Sequence, residues 1–210
     1  MLQLRKQQSS WTDRLLIIAA IFLIGGGGYL LVTAFSPFLL SQFIDPTNNT
    51  TTQLLETTAS KPEPERFREQ RIYIPKIDVN VIYTAGGPET LATGAWWRKS
   101  HNGNPKDGGN FVIAAHRFQI GPTPHRTINN SPFYNIDRLK VGDNITVDYD
   151  GSRYEYTIAE IRRVSPDAVE IEERTREPRL TLYTCTLGGT FDGREVIFAT
   201  PKQQTQKPAS

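Results

Sequence analysis

From Leu15 to Leu40 the chain reads LLIIAAIFLIGGGGYLLVTAFSPFLL, without a single charged residue. At about 1.5 Å per residue this run is long enough to cross a hydrocarbon core of about 30 Å as a helix. Four consecutive glycines, Gly25 to Gly28, weaken helicity in water. In lipid an unpaired backbone costs several kcal/mol, so a helix remains the expected state. A cleaved signal peptide has an apolar region of only about 7 to 15 residues, shorter than this one. Arg5, Lys6 and Arg14 precede the run, and no Lys or Arg follows it before Lys61. That bias keeps the N-terminus cytoplasmic and exports everything after residue 40.

An exported chain normally uses cysteine in pairs, but this one has a single cysteine, Cys185. A solitary thiol outside the cell is either a small buried hydrophobe or a group kept for chemistry, and composition alone leaves both open. A formal net charge of +2, with no basic cluster interleaved with aromatics, excludes nucleic acid as the expected partner. Neither Cys-x-x-Cys nor His-x-x-x-His spacing occurs, so no metal and no cofactor is expected.

Residues 41–70 contain DPTNNTTTQLLETTAS and KPEPERFREQ, polar and proline-bearing without a sustained apolar period. They are expected to form an extracytoplasmic linker. From Arg71 the texture becomes strand-like: RIYIPKIDVNVIY, NFVIAAH, DNITVDYD, RYEYTIAEIRRV, AVEIEE, RLTLYTC and EVIFAT. Asp150-Gly151 between two such runs signals a hairpin. Strands this short and this closely spaced predict an all-β barrel or sandwich with one or two short helices. PFYNIDRLK is one helix candidate, burying Phe133, Ile136 and Leu139, and ETLATGAWW is another. The expected organisation is a cytoplasmic tail (1–14), a transmembrane helix (15–40), a linker (41–70), a folded domain (71–203) and a C-terminal tail (204–210).

Alternation along RLTLYTC puts Leu180, Leu182 and Thr184 on one face and Thr181, Tyr183 and Cys185 on the other. The leucines claim the core, so Cys185 faces a groove at a strand end. A loop of about eight residues then returns Arg194 close to Cys185 across the hairpin mouth. Phe111 to Ala115 forms an apolar strand whose rim residue is His116. Imidazole exchanges protons near neutral pH, which a cysteine needs both to attack and to protonate a leaving amine. A guanidinium offers five donors to a peptide carbonyl or an oxyanion, and the Thr186 backbone N–H is a second candidate donor. Each residue also has a plain structural alternative: a rim histidine bonded to backbone, or Arg194 paired with Asp192 or Glu195. His101 and His125 sit in turn-rich loops and are read as solvated.

TLYTC at Thr181 to Cys185 resembles the TLxTC motif of sortases, and AAHR at Ala114 to Arg117 resembles the segment holding their histidine. Arg194 matches the third catalytic position, and IPKI at 74–77 and PFYNIDRLKVGDNITV are also similar to sortase features. This resemblance implies a closed eight-stranded β-barrel over roughly residues 71–200 that acts as a cysteine transpeptidase. Its substrates would be exported proteins bearing a C-terminal sorting signal of the LPxTG kind. The acceptor would be an amine of a cell-wall precursor or a pilin lysine. In this scheme Cys185 is the nucleophile, His116 the proton-transfer partner and Arg194 the transition-state stabiliser, with Thr184 helping to position the peptide. Two other readings stay open: a thiol peptidase that releases its acyl-enzyme to water, and a non-catalytic membrane-tethered β-domain that binds peptide or wall polymer.

Overall fold

The computed structural model describes residues 11–59 and 69–202. Residues 1–10 of the expected cytoplasmic tail, 60–68 of the expected linker, 203 at the end of the expected folded domain and the whole expected C-terminal tail, 204–210, lie outside the described residues.

Among the described residues nine strands follow in chain order: β1 Arg71–Ile74, β2 Val79–Ala85, β3 Ala95–Arg98, β4 Gly103–Asn104, β5 Gly108–Ala114, β6 Asn144–Tyr149, β7 Ser152–Val164, β8 Arg179–Thr186 and β9 Gly189–Pro201. Their order is β3-β2-β1-β6-β7-β9-β8-β5-β4, and β3 also pairs with β5. That last pairing closes eight strands into a barrel and leaves the two-residue β4 as an appendage on β5. Closure leaves no long unpaired edge, in keeping with an all-β chain built of short strands.

Period-2 alternation sorts the side chains. Ile72, Ile74, Tyr83, Phe111, Ile113, Ile145, Val147, Ile158, Leu180, Leu182 and Ile197 fill the interior, all nearly inaccessible. Trp97 joins them, with its ring edge-on to Tyr83, Phe111 and Tyr149. The hairpin signal is realised at Asp150 (φ 49°) and Gly151 (φ 74°), two left-handed residues in succession as a primed turn requires. Phe133, Ile136 and Leu139 are buried as expected, but the segment is a run of turns whose one regular element is the 3-10 turn Ile136–Arg138, carrying Ile136 alone. ETLATGAWW likewise divides into a 3-10 turn, Pro88–Ala92, and strand β3.

Among the described residues, three α-helices flank the barrel. α1, Trp11–Ser41, is long and apolar enough to cross a membrane, and it runs through Gly25–Gly28 and Pro37 without ending. α3, Pro124–Asn129, occupies the PTPHRT stretch that the sequence suggested was loop. Thr123 caps it by accepting from the Arg126 N–H.

α2, Thr50–Ala59, is a ten-residue helix within the expected linker, 41–70, where the sequence signals no element. Asn49 Oδ1 accepts from Thr52 N at 2.9 Å, while its Nδ2 donates to Pro75 O. Asp78 Oδ1, on the barrel, accepts from both Thr51 N (2.9 Å) and Thr51 Oγ1 (2.7 Å). The helix is held at its N-terminus by polar caps supplied partly by the barrel, so no apolar period announced it.

Candidate active site

β5 and β8 run parallel in register, Ala114 opposite Tyr183, and β8 and β9 run antiparallel with Cys185 directly opposite Arg194. Two bonds carry the β5–β8 pairing past the end of β5: Ala115 N donates to Tyr183 O (3.3 Å), and Thr184 Oγ1 donates to Ala115 O (2.7 Å). The same register, continued for two residues, sets His116 level with Cys185. His116, Cys185 and Arg194 thus form one row across three neighbouring strands, spaced about 5 Å from strand to strand. All three are partly exposed. Cys185 is a free, half-buried thiol near the strand end.

Beneath this row lies a second, outer apolar layer of Val112, Ala114, Ile171, Tyr183, Val196 and Phe198. Ile171 belongs to the β7–β8 connection, whose 3-10 turn Val169–Glu172 folds back over this face. Glu172 fastens it: its carboxylate takes the Tyr183 hydroxyl at 2.6 Å and an ion pair from Arg98 at 2.5 Å. Asn110 Nδ2 adds bonds to the carbonyls of Ile171 and Glu173. The face carrying the row is therefore walled on one side by a loop tied to its floor. Burial and the Glu172 carboxylate push the Tyr183 phenol far above its ordinary range.

His116 sits where β5 leaves the barrel, and its carbonyl accepts from Phe133 N at 3.2 Å. The next residue, Arg117, is buried and paired with Asp137 at 3.0 Å. Desolvation lowers the His116 pKa below the usual histidine value, favouring a neutral imidazole that can accept a proton.

Arg194 is held by backbone and not by the acids beside it. Nη1 donates to Thr190 O (2.8 Å) and Gly193 O (3.0 Å), and Nε and Nη2 bond nothing among the described residues. Asp192, one of the two alternative partners, is taken by Arg163 and by the Thr186 hydroxyl, both at 2.5 Å. Three guanidinium N–H groups thus remain for a ligand beside the thiol.

Thr184 differs from expectation. Its side chain is 1% exposed and its hydroxyl is spent on Ala115 O, so it cannot touch a peptide in the groove. It positions the strand end that carries His116. Thr186 follows a β-bulge after Cys185 and pairs with Gly189. The sequence missed the Glu172–Tyr183–Arg98 fastening, because nothing in AVEIEE distinguishes one glutamate as buried. His125 is exposed, and Trp96 turns to the outer face, donating to Gly86 O under the Arg98 guanidinium.

A closed eight-stranded barrel with a lone thiol, an imidazole and a guanidinium level on three adjacent strands defines a β-barrel protein with a thiol-centred site. The sortase domain family model matches residues 72–202, and the chain belongs to the sortase family. Sortase A of Listeria monocytogenes is 30% identical over 115 residues, 54% of this chain and 47% of that protein. Sortase A of Streptococcus agalactiae is 33% identical over 119 residues, 55% of this chain and 45% of that protein. The chain thus spans about half the length of the curated relatives it matches. Among solved structures, a sortase D5 transpeptidase of Clostridium perfringens superposes with TM-score 0.54 at 26% identity, covering 77% of this chain and 94% of that one. Sortase C1 of the group B streptococcal pilus island 1 shares the fold, with TM-score 0.56 at 18% identity over 84% of this chain and 96% of that one.

Proposed function

We propose that this protein is a membrane-anchored cysteine transpeptidase. It cleaves a C-terminal LPxTG-like sorting signal of exported proteins and joins the new carboxyl end to an amine of a cell-wall precursor or a pilin lysine. α1 crosses the membrane with its N-terminus in the cytoplasm, and the barrel lies outside. The observation that carries this reading is the level row of His116, Cys185 and Arg194.

Neutral His116 takes the proton of the Cys185 thiol, and the thiolate so formed attacks the threonyl carbonyl carbon of the signal to give a tetrahedral oxyanion. Arg194, anchored through Nη1, turns its remaining donors to the peptide and the oxyanion. The C–N bond breaks, His116 protonates the departing amine, and a thioester to Cys185 remains. The acceptor amine then attacks that thioester while His116 takes its proton, restoring the thiol. A neutral imidazole beside the thiol suits the proton-accepting steps. The partial exposure of Cys185 favours this reading over an inert thiol in a binding module.

The test is mass spectrometry of the protein incubated with LPxTG-like peptides and an amine, alongside Cys185→Ala. Cysteine-dependent exchange of the C-terminal fragment for the amine is the expected result. Hydrolysis alone would make it a thiol peptidase, and no thioester across a varied peptide set would overturn the enzymatic reading.

A further inference from the structure

β5 and β8 are parallel, so both end at one rim of the barrel, the rim that bears His116 and Cys185. β1 also ends there and β2 begins there, since the antiparallel β3–β5 and parallel β2–β3 pairings fix their sense. The outer end of α1 docks at this same rim. Arg138, in the 3-10 turn beside it, donates to Ser41 O and, at 3.0 Å, to Ser41 Oγ. Ser36 Oγ donates to Pro124 O at 3.1 Å, and Tyr29 OH donates to Pro122 O at 2.9 Å. Thr33, Ser36, Pro37 and Ser41 are buried in the contact, whereas Leu15–Val32 is exposed and predominantly apolar.

These bonds fix how high the barrel rides on the helix. Counted from Leu15, a core of about 30 Å consumes about 20 residues and ends near Ala34. Tyr29 then lies about 7 Å below that boundary, and tilting the helix moves the boundary further along the chain and sinks Tyr29 deeper. The loop bonded to Tyr29 must descend with it. That loop carries two exposed apolar side chains, Phe118 (41%) and Ile120 (50%).

Its backbone is also prepared for a poorly hydrated setting. Gln119 N donates to Ser131 Oγ, Gly121 N donates to Thr127 Oγ1, and Pro122 and Pro124 carry no N–H. Leu187 and Phe191, exposed after β8, lie on the same rim.

We infer that the rim carrying His116 and Cys185 is seated on the outer leaflet of the bilayer, with the Phe118–Pro122 loop immersed in its interface. The inference rests on the proposed crossing of α1. Its consequence is that the thiol opens along the membrane plane, so partners reach it from the bilayer surface.

The test uses the full chain with Cys185→Ser, which leaves no other cysteine, and single cysteines introduced as Ile24→Cys, Ile120→Cys or Val169→Cys. Each is labelled with a nitrobenzoxadiazole fluorophore in vesicles of phosphatidylcholine and phosphatidylglycerol. Quenching by lipids spin-labelled at carbon 5 is compared with quenching by aqueous iodide. Labels at 24 and 120 are expected to be quenched at least about twofold more by the lipid, and the label at the exposed residue 169 more by iodide. A lipid-quenched label at 24 with an iodide-quenched label at 120 overturns the seating and leaves the crossing intact. An iodide-quenched label at 24 overturns the crossing and the seating with it. Phe118→Cys repeats the reading if Ile120→Cys lowers the melting temperature.

Discussion

Replacing Thr184 with valine removes one hydroxyl and almost no volume, so it separates a positioning role from a peptide contact. The hydroxyl donates at 2.7 Å to Ala115 O from a residue 1% exposed, and Ala115 is itself buried, 5% exposed. An unsatisfied buried carbonyl costs about 1–3 kcal/mol, and the equal shape of valine adds no cavity cost. For a barrel of roughly 130 residues, unfolding entropy of about 2.1 cal/mol/K per residue makes each kcal/mol worth about 4 °C. Thr184→Val is therefore expected to melt about 4–11 °C lower by calorimetry, with Thr184→Ser near wild type. Ala115 immediately precedes His116, so loosening it displaces the imidazole. In a peptide-exchange assay kcat is expected to fall about tenfold, equivalent to about 1.4 kcal/mol, with KM for the signal peptide unchanged. An unaltered melting temperature with a raised KM would refute the reasoning and return Thr184 to the peptide.

Three further outcomes follow from the geometry. Burial holds the His116 pKa below its unfolded value near 6.5, so its contribution to stability is complete above that pH and is lost as pH falls towards the folded pKa. The urea midpoint should decline between pH 7 and 5, and the decline should be shallower in His116→Gln. Tyr183→Phe removes the bond to the Glu172 carboxylate, worth about 1.5–3 kcal/mol, and should speed hydrogen exchange across residues 168–173 before the rest of the barrel. Asp78→Gly deletes the cap on α2 and relaxes a left-handed residue (φ 51°), so limited proteolysis should cut within 50–59 while the barrel keeps its melting temperature.

The barrel was legible because its information is periodic. Leu180 and Leu182 alternate with Tyr183 and Cys185, and that alternation alone assigned the core face and the site face. The closeness of Cys185 and Arg194 was legible too, although the expected loop of about eight residues is a connection of only Leu187 and Gly188 with a register shift after Cys185. The level of His116 was not, because it rests on a parallel pairing between segments far apart in the chain. α2 escaped notice because its attachment is a pair of polar caps, one of them on Asp78. Thr184 was misread because the strand end it supports is visible only once β5 lies beside β8.

The parallel β5–β8 pairing also has a temporal consequence. Ala115 and Thr184 are 69 residues apart in the chain, and such long-range parallel contacts form slowly, after much loop-closure entropy has been lost. Until the barrel closes, Cys185 has Arg194 nearby through its own hairpin but no imidazole at hand. On the proposed mechanism the nascent thiol then lacks its proton partner, which arrives only when β5 and β8 pair across those 69 residues.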